Sequence, residues 1–495
     1  MGSVEDHIED GIEIHHQKDL SKVFDALSGV GTAANPITIR LFAKTYTASA
    51  PLNVPNYCSI IGAGRDATII QRTQSSVNTA YGTTGAVFCD PVLNMSQSQS
   101  VTLENLSVVH SGMTDAGVSS TTSNPCAILT GAAKKFKMSN VRLEGNWSGW
   151  YDKTDSMDST FSKPIVDDVM GNEDYQYRVD NCIVIGHSDT GGKQIARHEL
   201  YANGCLFMCD IRSTDVLPTS SMPIGFNHWE YLVGYFKSCE FILRSAQTLV
   251  VNSVIQAAAS FAISDNSITD TIAYCDGCTF TLDLSEGDIN SASSGAVSVY
   301  IGGNFASGGT IYNYNVFNAN NCHLRYGTGT VTSAPYIAGL YIESQSGVNT
   351  AVEGRLKNCK FEDFEGSGGT RRRDIVIAGR LANVQAKSLV VENCNVQDYD
   401  YRNVSGSPIY THANFMTEPN TMNYQRGSAV FSPSGTSVSV SLPLAFTASA
   451  GITDYFVGLE PSENNTFWVD TKTNSGFNLN AANATAGTIR FVVRR

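Results

Sequence analysis

The sequence predicts an all-β chain: a parallel β-helix followed by a small antiparallel β-sandwich. Three observations lead there. Of the 495 residues only 16% are charged while 42% are apolar, with 43 Gly, 22 Phe and 21 Tyr. An ordinary soluble domain carries roughly 25% charged residues, and this balance fits packed strands rather than disorder or a coiled coil. A short unit recurs nine times between residues 105 and 396. Beyond residue 396 that unit stops, and strict alternation of polar and apolar residues replaces it.

In chain order, residues 1–18 are acidic, with Glu5, Asp6, Glu9, Asp10 and Glu13 against Lys18. They read as a peptide ahead of the helix. A short helix is expected from Leu20 to Leu27, then strands at ITIRLF, CSIIG and ATIIQR. Gly62-Ala63-Gly64-Arg65-Asp66-Ala67 matches a dinucleotide-binding fingerprint. That fingerprint needs a helix directly after it, whereas Thr68-Ile69-Ile70 are β-branched and strand-forming, so no nucleotide site is expected.

The repeated unit is Asn, Ser or Gly, then a small apolar residue, any residue, and an apolar residue. It begins at Asn105, Asn140, Asn181, Gly204, Ser238, Gly277, Asn321, Asn358 and Asn393. In seven of the nine the second residue is cysteine: Cys182, Cys205, Cys239, Cys278, Cys322, Cys359 and Cys394. On a strand the cysteine and the apolar residue share one face, and the residue between them points the other way. Asn, Gly or Ser ahead of the strand suits a left-handed turn. One turn and strand per repeat describes a coil of a solenoid, with equivalent residues stacked about 4.8 Å apart. The cysteines then form a buried inner column of free thiols, because stacked parallel Cβ vectors make poor disulfide geometry. CDGC at 275–278 has no second pair to complete a zinc site; no metal and no cofactor are expected. The step from Asn181 to Gly204 is 23 residues, one bare coil, while the others run from 34 to 44. Each of these holds one coil with an insertion or two coils, and spacing alone does not separate the two.

The Leu20–Leu27 helix, the Lys44-Thr45-Tyr46 step, the Gly62-Ala63-Gly64 turn between strands and the repeats resemble the pectin-lyase-like right-handed β-helix superfamily, over about 19–110 by motif and to about 400 by repeat. The resemblance implies a right-handed parallel β-helix at 19–401. It leaves function open, because lyases, hydrolases and binding spikes share that fold.

Residues 402–427 contain Pro408 and Pro419 without periodicity and read as a linker. Six short alternating strands follow at 428–432, 437–443, 455–461, 467–473, 476–482 and 488–494, an antiparallel sandwich at 428–495. It resembles the small lectin-like sandwiches that close many bacteriophage tail fibres and tailspikes as trimers. The order of β-helix, linker and sandwich matches that family too.

Charge narrows the partners. With 33 basic and 46 acidic residues the net charge is −13, which disfavours bare nucleic acid and anionic membranes. The most apolar window, 249–263, is broken by Asn252, Ser253, Gln256 and Ser260, so no membrane insertion is expected. An acidic start is unlike a signal peptide, so synthesis in the host cytoplasm is expected.

Two long inserts concentrate aromatic and acidic residues. The first, 146–178, holds Trp147, Trp150 and Tyr151 with Asp155, Asp158 and Glu173; the second, 209–232, holds His228, Trp229 and Glu230. Aromatic faces bind sugar rings, so Trp147, Trp150, Tyr151, His228 and Trp229 are the expected glycan contacts. Paired carboxylates cleave glycosidic bonds, which makes Asp155, Asp158, Glu173 and Glu230 the catalytic candidates, a hydrolase fitting better than a lyase. The plainer readings are that Trp147 and Trp150 anchor the insert and that the acids are solvated. The phage resemblance implies a homotrimer in the virion tail, joined through residues 1–18 to a tail or adaptor protein, that binds a host surface polysaccharide and in some members cleaves it. A free polysaccharide lyase or glycoside hydrolase, or a structural virion part without glycan activity, are the alternatives.

Overall fold

A computed structural model of the chain describes residues 12–14, 20–74, 88–95, 98–112, 123–130, 135–146, 148–151, 176–187, 198–212, 226–229, 232–249, 256–262, 270–284, 288–290, 296–302, 312–327, 330–333, 337–344, 349–364, 372–379, 385–396, 398–403, 408–412, 416–417, 423–430, 435–441, 456–460, 467–473, 476–485 and 488–494. Nearly all of them are strand; the helix Ser21–Ala26 buries Phe24 at the start of the coils.

The strands wind as a parallel β-helix. One sheet gathers the strands that precede each repeated unit, through Gln176–Asp180, His198–Asn203, Leu232–Lys237, Asp270–Asp276, Tyr312–Asn320, Asn349–Lys357 and Gln385–Glu392. A second gathers the strands that follow it, through Ile183–Gly186, Leu206–Ile211, Glu240–Ser245, Thr279–Asp283, His323–Tyr326 and Lys360–Glu362. The third side is formed by strands such as Gln256–Ala262, Ala296–Gly302, Ile337–Ser344 and Arg372–Gly379. Register also fixes the coil count. Lys135–Ser139 pairs directly with Gln176–Asp180, and Asp270–Asp276 with Tyr314–Asn320. Each 34-to-44-residue interval is thus one coil with an insertion.

All nine first positions of the repeat have left-handed backbone, from φ 50° at Ser238 to φ 62° at Gly277. This is the corner between the first and second sheets. Asn tolerates that region better than other side chains, and the corner amides bond to each other: Asn140 Nδ2 donates to Asn105 Oδ1 at 2.9 Å, and Asn393 Nδ2 to Asn358 Oδ1 at 2.8 Å. Gly62 occupies the same corner one coil before Asn105, and a Cβ there would lie 2.3 Å from the Asn105 carbonyl oxygen. The strand Thr68–Thr73 follows it, as the β-branched sequence predicts.

Directly after the corner, Leu106, Val141, Cys182, Cys205, Cys239, Cys278, Cys322 and Cys359 are each at most 3% exposed, and Cys394 is half-buried. Successive coils join through this column, Leu206 N–H donating to Cys182 O, Glu240 to Cys205, Thr279 to Cys239 and His323 to Cys278, all at 2.8–2.9 Å. The cysteines are free, and their thiols donate to carbonyls, Cys205 Sγ to Val179 O at 3.2 Å and Cys239 Sγ to Ala202 O at 3.4 Å. Two residues further along the strand, Val184, Phe207, Phe241, Phe280, Leu324 and Phe361 form a second inner column. Phe207, Phe241 and Phe280 stack at 5.2 and 4.9 Å between centroids. Asn395 ends the ladder, its side-chain amide bonding both the N–H and the carbonyl of Phe361.

The C-terminal residues form two antiparallel layers, the first of them joined through Met416–Thr417 to the Gln385–Glu392 strand of the β-helix. Thr488–Arg494 lies between Asn423–Val430 and Phe456–Glu460; Gly476–Thr485 lies between Gly435–Ser441 and Phe467–Thr473. Val457 and Leu459 of one pack on Val440, Phe477, Leu479 and Ala481 of the other, which makes a sandwich. The stretch 402–427, expected as a linker, carries strand. Pro408–His412 pairs antiparallel with Asp398–Asn403, and Asn423 opens the first sandwich strand. A hairpin can take Pro at its first position, where no ladder N–H is lost. From the acidic N-terminal peptide, Ile12–Ile14 adds parallel to Ile37–Leu41. Among the described residues no helix is long and apolar enough to cross a membrane.

Candidate functional site

The outer face of the first sheet carries the most developed site. Three residues before the corner of successive coils stand Arg178, Tyr201, Tyr235, Tyr274, Asn318 and Arg355, in register. Parallel pairing stacks like on like, so the tyrosines form a ladder: Tyr201 on Tyr235 at 4.8 Å and 8°, Tyr235 on Tyr274 at 5.2 Å and 11°. Such aromatic pairs contribute about 0.5–1.5 kcal/mol each beyond area burial. The Arg178 guanidinium lies 5.6 Å above the Tyr201 ring and covers that end of the ladder. Tyr235 and Tyr274 remain 38% and 39% exposed, which places their edges and hydroxyls at the surface.

A parallel row, one residue before the corner, runs Asp180, Asn203, Lys237, Asp276, Asn320 and Lys357. The two rows line an open groove of about 760 Å³ along the sheet. Tyr201 Oη donates to Glu199 Oε2 at 3.0 Å. Burial against its neighbours, with that hydrogen bond, raises the Tyr201 phenol, and burial raises Tyr235; both are neutral donors at physiological pH. Asp276 Oδ1 accepts from Asn320 Nδ2 at 3.0 Å and Asn321 Nδ2 at 3.4 Å. A wall of phenols, amides and charged tips on a rigid sheet can bind an extended polar chain by many hydrogen bonds.

A second polar cluster sits on the other side of the corner. His187 is buried, with Nδ1 2.8 Å from the Asp210 carbonyl oxygen and Nε2 3.4 Å from Glu144 Oε1. Arg142 donates to Glu144 Oε2 at 2.6 Å, and Arg244 forms a two-pronged pair with Asp210 at 2.8 and 2.9 Å. The hydrogen bond with His187, and then Arg142, hold the Glu144 carboxyl at about 2 against the opposing effect of burial. With its charges paired internally, this cluster ties coils together.

Of the residues expected from sequence, Trp150 alone has its side chain among the described residues, and it does not line the groove. Trp150 is 7% exposed; its indole N–H donates to Thr130 Oγ1 at 2.9 Å, and its ring packs on Phe136 and Tyr177 at 5.6 and 5.9 Å. A ring so placed has no face for a sugar, and for Trp150 the anchoring reading fits. Tyr151 ends the same strand in register with Leu129, and His228 and Trp229 pair with Phe261 and Ala262; their side chains lie outside the described residues. Trp147, Asp155, Asp158, Glu173 and Glu230 lie outside them altogether. Among the described residues no group of three His, Cys, Asp or Glu is arranged to hold a metal ion. The tyrosine row was missed, although a signal existed: Tyr stands three residues before the corner in YANG, YFKS and YCDG, at Tyr201, Tyr235 and Tyr274.

No protein-family model matches the chain, and no curated protein matches it. Solved structures similar to it include the tailspike protein of Pseudomonas phage LKA1, 11% identical, covering 92% of this chain and 67% of that one with a TM-score of 0.39. The tailspike of Pseudomonas phage phi297 is 10% identical, with coverages of 96% and 90% and a TM-score of 0.38. The tailspike of Acinetobacter baumannii bacteriophage AP22, solved in complex with A. baumannii capsular saccharide, is 7% identical, with coverages of 99% and 96% and a TM-score of 0.37.

Proposed function

We propose that the chain is a homotrimeric phage tailspike or tail fibre that binds a bacterial surface polysaccharide during adsorption, with the tyrosine groove as its saccharide-binding surface. Residues 1–18 would join it to the tail or an adaptor protein. The single observation that carries the binding role is the in-register ladder Tyr201–Tyr235–Tyr274 at the surface of the first sheet, beside a row of amides and charges. Exposed aromatic side chains on a solenoid lose little conformational freedom on binding, and phenol edges offer both apolar contact and hydrogen bonds to sugar hydroxyls. The order of β-helix and C-terminal sandwich, shared with the family the sequence resembles, supports the virion role.

Binding is proposed for the groove, and cleavage is not assigned to it. Its two carboxylates, Asp180 and Asp276, stand three coils apart, about 14 Å at the spacing of paired strands. Glycosidase pairs stand about 5–9.5 Å apart.

The test is to label the purified chain and measure its binding to immobilised bacterial capsular and outer polysaccharides, with light scattering on the same sample. A trimer that binds at least one polysaccharide, and loses about tenfold or more in affinity as Tyr274→Ala, is the expected result. A monomer overturns the spike reading; unchanged binding by Tyr274→Ala overturns the site. Released oligosaccharides would place cleavage elsewhere on the chain.

A further inference from the structure

The tyrosine row is interrupted in a way that defines a subsite. Tyr274 is followed on the next coil by the short Asn318, and on the one after by the long Arg355. Arg178 covers the Tyr201 end of the ladder and Tyr235 fills its middle, so Tyr274 alone turns a ring face toward a side chain too short to cover it. The result is a notch two coils wide, about 10 Å between backbones. Its walls are Tyr274 and Arg355, and Asn318, Asn320 and Lys357 line it. One flat ring fits where a fourth tyrosine would have stacked.

Charge says what that ring should carry. Four basic side chains line the groove, Arg178, Lys237, Arg355 and Lys357, with the acidic Asp180 and Asp276, and Glu199 and Glu392 reach its rim at Tyr201 and Arg355. Lys237 and Lys357 make no ion pair with the described residues. Arg355 Nη2 lies 2.6 Å from Glu392 Oε1, the two side chains being 55% and 39% exposed. That contact shows a carboxylate oxygen reaching the guanidinium at the surface, and an exposed pair of this kind is weak in water, so a ligand can displace it. Unpaired cations in a concave wall concentrate the field on an incoming anion, whereas a neutral sugar would gain from them only hydrogen bonds.

We propose, on the reading that this groove binds a glycan, that its ligand is an acidic polysaccharide. The Tyr274–Asn318–Arg355 notch is the subsite that selects it, with one carboxylate-bearing sugar stacked on Tyr274 and its carboxylate held by Arg355 and Lys357. Arg355 and Lys357 are the specificity-determining residues, and Tyr274 supplies the platform.

The experiment uses the full chain against an immobilised panel of purified bacterial polysaccharides, half of them neutral and half containing uronic acids. The best binder is then retested after carbodiimide and borohydride reduction of its carboxyl groups to alcohols. The expected outcome is a uronate-containing best binder whose affinity falls about tenfold or more on carboxyl reduction, and similarly with Lys357→Ala and with Arg355→Ala. Raising NaCl from about 50 to about 300 mM should weaken binding as well. A neutral best binder that still needs Tyr274 overturns the acidic-ligand proposal and leaves the groove as the glycan site. Affinity unchanged by carboxyl reduction does the same. No polysaccharide bound at all overturns both. Dissociation of the oligomer by Lys357→Ala overturns the proposal in favour of the groove being a contact between copies of the chain.

Discussion

The same coils build two columns of opposite character, thiols inside and phenols outside. Cys205, Cys239 and Cys278 lie one residue after the corner and are at most 2% exposed; Tyr201, Tyr235 and Tyr274 lie three residues before it, on the surface. Both are held in register by parallel pairing, so both repeat on each coil. The inner column is constrained by volume: next to the corner the lumen takes apolar residues no larger than Leu106, and seven coils in succession carry cysteine there. The outer column is free of that constraint, and it changes from Arg to Tyr to Asn to Arg over six coils. Repetition inside reports packing; variation outside reports what the surface is for.

The sharpest way to break this comparison is to truncate one aromatic of each kind. Phe241 is fully buried between Phe207, Phe236 and Phe280. Phe241→Ala should cost about 3–5 kcal/mol, the range for a large core residue replaced by a cavity. Tyr235→Ala, which removes both surface stacks, should cost about 1–3 kcal/mol. Urea unfolding followed by tyrosine fluorescence measures both. Equal losses would mean that the outer ladder is a structural spine.

A smaller effect separates the corner from the columns. Asn358 has φ 53° and its amide both donates to Asn321 and accepts from Asn393. Asn358→Val forces a β-branched residue into the left-handed region and removes those bonds, and should cost about 2 kcal/mol. Asn358→Gly keeps the backbone and should cost about 1 kcal/mol or less. If the two variants are equally stable, the conformation at the corner is not what selects Asn, and the amide ladder is.

These expectations also mark what was legible in the sequence. The nine corners and the inner columns were, because the small residue sits next to the turn residue and no insertion can come between them. The sandwich was, because alternation of period two survives in each strand and Val440 and Leu479 fall on the buried face. The coil count was not: insertions of variable length hide the third strand, and only pairing such as Lys135 with Gln176 removes the ambiguity. The groove was not, because a rare aromatic such as Trp150 is also large enough to plug the core, while the three ladder tyrosines are dispersed among the 21 of the chain. Reading each residue by its distance from the corner would have aligned Tyr201, Tyr235 and Tyr274.

The smallest effect concerns the polar cluster beyond the corner, and pH isolates it. The Glu144 carboxyl, held at about 2 chiefly by its hydrogen bond with His187, would titrate at its ordinary value of 4.5 in the unfolded chain. A depressed folded value means that the unfolded state binds the proton more readily. The contribution of Glu144 is therefore complete above pH 4.5 and is lost as pH falls toward 2. The group is half-buried, so the loss should be about 1 kcal/mol. Glu144→Gln should lower stability at pH 7 by about that amount and leave the variant and the parent equally stable near pH 2, read from unfolding midpoints across the acid range. The tyrosine groove should not register this change, since its ladder lies on the other sheet: binding at pH 7 by Glu144→Gln should match the parent. Loss of binding in that variant would show that the two faces of the corner are coupled, and that the inner and outer columns are not the independent systems their packing describes.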